Sequence, residues 1–109
     1  MTILTNNDMI EILQSVGRVY NVTPSMIMGR ARHQPLAEAR QVAMTIVLLR
    51  GVTSVECGRL FGKDHGTALH AKKAINNRVN TCPHARRRWV TLKHLATVPV
   101  EEFSTDFVI

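Results

Sequence analysis

Residues 53 to 71 read Thr53-Ser54-Val55-Glu56-Cys57-Gly58-Arg59-Leu60-Phe61-Gly62-Lys63-Asp64-His65-Gly66-Thr67-Ala68-Leu69-His70-Ala71. The stretch opens on a capping box, in which the Thr53 hydroxyl and the Glu56 carboxylate each satisfy a free backbone amide at a helix start. That helix is brief, because Gly62 ends it after Leu60 and Phe61. Asp64 then caps a second helix running from His65 to about Val79, with Leu69 and Ile75 inward and Lys72, Lys73 and Asn76 more exposed. A short helix, a tight glycine turn and a longer helix make a helix-turn-helix.

Upstream, Met9, Ile12, Leu13, Val16 and Tyr20 recur at helical spacing and predict a first helix from about Asp8 to Tyr20, capped by Asn7. Thr23-Pro24 is a cap followed by proline at the first helical position, which predicts a short helix to Met28 stopped by Gly29. Arg30-Ala31-Arg32-His33-Gln34-Pro35 has no apolar period and reads as a basic loop. A longer helix follows with Ala39, Val42, Ala43, Ile46 and Val47 on one face, ending at Gly51. Downstream, a helix from Pro83 buries Trp89, Leu92 and Ala96, presents Arg86, Arg87, Arg88 and Lys93, and is closed by Pro99. With neither a strand pattern nor a repeat, the expectation is an all-α, compact helical domain over residues 8–96, followed by an acidic tail over 97–109.

At 109 residues, 45% of them hydrophobic, the chain has enough apolar material for one core but not two. No apolar run reaches membrane-span length and the start lacks a signal peptide's basic and apolar regions, so the expected compartment is the cytoplasm. Cys57 and Cys82 are too few for a disulfide framework and read as packing residues. No cysteine or histidine pair has metal-ligand spacing, and His65 and His70, five apart, fall on different helix faces. Neither a metal nor a cofactor is expected.

The net charge of +6 is unevenly placed. Residues 30 to 94 carry 13 basic side chains against Glu38, Glu56 and Asp64, a balance of +10, while residues 1 to 29 balance at −1 and residues 95 to 109 at −3. A basic centre between acidic ends is the electrostatic footprint of a nucleic-acid binder.

The second helix of a helix-turn-helix enters the major groove with its N-terminal residues against base edges. Here those are Lys63, Asp64, His65, Gly66 and Thr67. Lysine contacts guanine or phosphate, aspartate accepts from a cytosine amine, histidine donates to base or phosphate, and threonine bonds phosphate oxygen. Asp64 has a second reading as a plain helix cap. Arg30 and Arg32 flank a small alanine on an arm suited to a narrow A·T-rich minor groove, against the alternative of a mobile surface loop. Lys72 and Lys73 lie further along the recognition helix, within reach of phosphate. Arg86-Arg87-Arg88 reads equally well as a solvated face. Enzyme chemistry finds no footing. The Gly58-to-Asp64 run lacks the four-residue glycine spacing, the Ser or Thr after lysine and the preceding strand of a phosphate loop, and there is no nucleophile elbow or paired carboxylates.

The run from Cys57 to Ala71 resembles the signature of the C-terminal DNA-binding domain of the bacterial replication initiator DnaA. Ala39-Arg40-Gln41-Val42-Ala43-Met44 and Val19-Tyr20-Asn21-Val22 match that family as well, in order, over roughly residues 8 to 95. The resemblance implies recognition of the initiator box, with Arg32 in the minor groove and Lys63, Asp64, His65 and Gly66 facing the major groove. It further implies that Arg40, Gln41, Thr67 and His70 hold phosphates. Three departures stand out: one residue fewer between Phe61 and the Lys63-Asp64-His65 triplet, Gly66 for a base-touching threonine, and Val55 for a proline near the DNA. The chain is expected to be this domain with a short tail and no ATPase region. Its expected partner is double-stranded DNA, in control of replication or transcription. The alternative is a module that binds replication proteins, through Phe103 and Phe107 for example.

Overall fold

A computed structural model describes residues 4–96. Among the described residues, six helices run in the order α1 (Asn6–Tyr20), α2 (Pro24–Met28), α3 (Leu36–Leu49), α4 (Ser54–Leu60), α5 (His65–Thr81) and α6 (Pro83–Leu92), and a 3-10 turn (Lys93–Ala96) follows. No strand occurs among the described residues, and the all-α expectation holds. The tail over 97–109, including Pro99, Phe103 and Phe107, lies outside the described residues.

α3 is the central element. Residues 42 to 47 are buried without a break, the pattern of a helix enclosed on all sides. It packs against α1, α2, α4, α5 and the 3-10 turn. Ile12, Val16 and Tyr20 of α1, Ile27 of α2, Cys57 and Phe61, Ile75 and Val79 of α5, and Trp89 and Leu92 of α6 close one core around it.

The helix starts correct the sequence reading in detail. α1 is capped by Thr5, not Asn7: the Thr5 hydroxyl accepts from the Asp8 amide at 3.0 Å, and the Asp8 carboxylate accepts from the Thr5 amide at 3.1 Å. Asp8, at the third helical position, has the reach to return the bond, so a capping box forms here and the cap lies two residues earlier than expected. At α4 only half the expected box forms. Thr53 accepts from the Glu56 amide at 3.1 Å, but the Glu56 carboxylate turns along the helix to Arg59. Arg50, at the end of α3, bonds Asp8 at 3.2 Å and the Leu95 carbonyl at 3.3 Å, and so fastens the start of α1 to the final turn.

Leu69 was expected inward and is outward, half exposed. The buried face of α5 is Ala68, Ala71, Ile75 and Val79, a run of three- and four-residue steps. Leu69 and Ile75 are six apart and cannot share that face. α6 differs from expectation too. It buries Trp89 and Leu92 as read, but Arg88 points into the protein, and Arg86 donates from Nε to the Val79 carbonyl at 3.0 Å, tying α6 to the end of α5.

Candidate nucleic-acid interface

Two glycines shape the turn between α4 and α5. Gly62 sits at φ +68°, where a side chain is strained. Gly58 packs against the incoming chain: a β-carbon there would lie 2.7 Å from the Lys63 carbonyl oxygen and from the Asp64 carbonyl group. The Lys63 amide donates to the Gly58 carbonyl at 2.7 Å. The sequence reading placed Gly58 in its motif without seeing this role, which is to let α4 and the start of α5 touch backbone to backbone.

The Asp64 carboxylate accepts from the Thr67 amide at 2.7 Å, so the cap reading of Asp64 is realised. That backbone bond, with help from the Thr67 side chain, holds the carboxyl below its usual range. Asp64 therefore stays ionised at the positive end of α5, and its fixed position presents His65, Gly66 and Thr67, all exposed, at the tip of the helix. Helical spacing then lines Gly66, His70, Lys73 and Asn77 along the face opposite the buried one. Lys63 is half-buried in the turn before α5, and Lys72 is half-buried on the flank of α5 nearer its buried face. Val55, 64% exposed, stands on the first turn of α4.

The basic loop is carried by different elements. Arg30 and Arg32 are exposed, between the end of α2 and the start of α3. Arg40, implied as a phosphate ligand, is 6% exposed and does other work. Its Nε donates to the Ile27 carbonyl at 2.6 Å, Nη1 to Ala31 at 2.7 Å and Nη2 to Met26 at 3.2 Å. All three guanidinium nitrogens thus hold backbone of α2 and of the loop, which fixes the stem of the arm that displays Arg30 and Arg32. The reassignment follows from its position: Arg40 lies on the enclosed side of α3, where a charge must find partners. Gln41, its neighbour, is half-buried.

A second charge cluster was missed. Glu38 is 2% exposed. Tyr20 donates its hydroxyl to Glu38 Oε2, Arg88 Nε donates to the same oxygen at 3.0 Å, and Arg78 Nε donates to Oε1 at 2.9 Å. The Arg88 guanidinium also lies 5.2 Å from the centre of the Tyr20 ring. Burial works against ionisation of Glu38, but the bonds from Tyr20 and Arg88 and the charges of both arginines prevail and lower its pKa. The same burial, and the bond to Glu38, raise that of Tyr20. One signal was available: Glu38, Val42 and Thr45 share helical spacing, which places the acid on a buried face.

Cys57 is buried, as its packing role requires, and burial pushes its thiol up to about 11. Cys82 is only partly buried and sits at the start of α6, where hydrogen bonds from backbone amides, Ala85 first, lower its pKa. It is a helix-start residue, not a core one. Among the described residues no helix is long and apolar enough to cross a membrane, and no group of three metal-ligating side chains gathers.

Comparison with known proteins places these elements in a family context. Residues 9–75 match the family model described as bacterial dnaA protein helix-turn-helix. The chain is 32% identical over 90 residues to the chromosomal replication initiator protein DnaA of Deinococcus radiodurans, covering 80% of this chain and 19% of that protein. It is 34% identical over 88 residues to the protein of that name from Xanthobacter autotrophicus, covering 79% and 17%. With the Streptococcus equi subsp. zooepidemicus protein it shares 36% over 86 residues, covering 77% and 19%. The chain therefore spans about a fifth of the length of these relatives.

Proposed function

The chain belongs to the bacterial DnaA helix-turn-helix family, and from that premise we propose that it binds double-stranded DNA at a site resembling the initiator box, acting in control of replication or transcription without ATPase activity. α5 enters the major groove and the loop from Arg30 to Pro35 enters the neighbouring minor groove. The observation that carries this reading is the family match over residues 9–75, which spans the loop, the glycine turn and the exposed tip of α5.

Lys63, Asp64, His65 and Gly66 face base edges. Asp64 caps the helix with one oxygen and offers the other to a cytosine amine. Gln41, Thr67, His70, Lys72 and Lys73 meet phosphates on either side of the groove, with Val55 close to the backbone at the start of α4. Arg30 and Arg32 read the narrow, electronegative minor groove, and Arg40 serves them by fixing the loop stem.

The test compares binding of the purified chain to duplexes bearing an initiator box and to scrambled duplexes of equal composition, without nucleotide. Preference for the boxed duplex supports the proposal. Equal affinity for both sets aside the box, and binding to neither sets aside DNA recognition itself.

A further inference from the structure

Glu38 and Arg40 are two polar residues buried on the first turn and a half of α3, directly after the basic loop. Between them they fasten the loop and the recognition helix to one piece of backbone. Arg40 holds the end of α2 through the carbonyls of Met26 and Ile27 and the loop's upstream half through that of Ala31. On the downstream side, the Gln34 side chain accepts from the Glu38 amide at 3.3 Å. The Glu38 carboxylate then reaches out of α3 in two directions. Oε1 takes Arg78 of α5, and Oε2 takes Arg88 of α6 together with the Tyr20 hydroxyl of α1.

An apolar side chain at position 38 would fill the same space and let α5 settle by packing alone. A carboxylate with each oxygen assigned to a different guanidinium fixes direction as well, because the bonds form only over a narrow range of angles. Burying that charge brings little net stability over a well-packed apolar residue, so orientation is the property the arrangement supplies. We propose that Glu38 is a positioning residue for DNA recognition: by tying Arg78 on α5 to the root of the basic loop, it sets the offset between the side chains that read the major groove and those that read the minor groove. The inference rests on the two-groove reading above and adds to it a residue that touches no DNA.

The test uses a panel of duplexes in which the A·T-rich flank is moved one base pair toward or away from the major-groove core. The wild-type chain should prefer one spacing by at least about fivefold, the lower end of what a misplaced base pair costs. Arg78→Lys keeps the charge and the fold, since the Arg78 side chain is 42% exposed, but loses the Nε–H that meets Oε1. Glu38→Gln removes the charge and keeps the shape. Both variants should bind a core-only duplex within about twofold of wild type while their spacing preference shrinks to about twofold or less. Helicity and melting temperature, measured alongside, establish that the variants are folded; if Glu38→Gln does not fold, Arg78→Lys decides. Affinity lost equally on every duplex, with the spacing preference intact, overturns the inference in favour of a purely structural role. An unchanged preference in a folded Arg78→Lys overturns it as well, and leaves the two-groove reading standing. A wild-type chain indifferent to spacing overturns both.

Discussion

Gly58 and Asp64 approach so closely across the turn that a β-carbon on Gly58 would sit 2.7 Å from the Asp64 carbonyl. Backbone stands on the far side of that contact, and it cannot rotate away as a side chain would. Gly58→Ala should destabilise the domain by about 1–3 kcal/mol despite alanine's better helix propensity, because overpacking outweighs the propensity gain. Gly66, on the first turn of α5, has only the end of the Asp64 side chain 3.6 Å from its missing β-carbon. Gly66→Ala should be neutral or stabilising by about 0.5 kcal/mol. Denaturant melts of the two variants check the pair, and the same sign in both would contradict the geometry.

Much of this turn was legible in the sequence because its signals are local. A cap, a glycine and a second cap each act on backbone within four residues, so Thr53, Gly62 and Asp64 could be placed by spacing. Two errors are local, Asn7 in place of Thr5 as the α1 cap and Leu69 placed on the face of Ile75, whereas those at Arg40 and Arg88 turn on long-range packing. The inward face of α5 is built from Ala68 and Ala71, small residues that let the helix lie close to α3, and Leu69 lies off that face. The resemblance implies a phosphate role for Arg40, and helical spacing puts Arg88 on the outward face of α6. Their partners lie 9 to 14 residues away for Arg40 and 50 away for Arg88, beyond any pattern in a helical window.

Gly66 stands where the resemblance implies a base-touching threonine. If the threonine methyl lost there packs on a thymine methyl, Gly66→Thr should restore preference at one base pair, worth about 1–3 kcal/mol of discrimination. Selection from random duplexes by the natural and substituted chains reads this directly. A natural chain that already selects a full box with no weakened position contradicts the assignment.

The Glu38 cluster predicts how stability depends on pH. The folded-state pKa of Glu38 lies below that of an ordinary glutamate, so the unfolded chain takes up its proton first as pH falls. The stability Glu38 contributes is full above the ordinary carboxylate range and is lost as pH drops through its lowered value. Tyr20 has the opposite shift, raised by burial and by Glu38, so its contribution is full below the ordinary phenol range and is lost as pH rises through its raised value. Melting temperature against pH should show a shallower acid limb in Glu38→Gln than in wild type. Identical limbs would mean that Glu38 does not carry this dependence.

The two thiols should react in a fixed order. Cys82 is partly exposed with a lowered pKa, and Cys57 is buried with its thiol pushed up to about 11. Iodoacetamide at neutral pH should alkylate Cys82 first and leave Cys57 unmodified until the protein unfolds, since the thiolate is the reactive form. Peptide mass spectrometry after timed quenching reads the order. Early modification of Cys57 would contradict its place in the core.

Arg32 and Lys73 should fail differently when replaced by alanine. Arg32 is on the exposed loop and Lys73 on the outward face of α5. Loss of a minor-groove reader weakens preference for an A·T-rich flank, whereas loss of a phosphate contact weakens all sequences about equally and lowers the salt slope by about 1. Indistinguishable profiles on one sequence panel would count against a minor-groove position for Arg32.

The central claim, that the basic middle of this chain meets duplex DNA through phosphates, is tested most directly by the salt dependence of binding. Each neutralised phosphate releases condensed counterion, so affinity must fall with salt in proportion to the contacts made. With about five such contacts, a plot of log affinity against log salt for a duplex titrated without nucleotide should have a slope of about −4 to −5. A slope near zero would contradict the account.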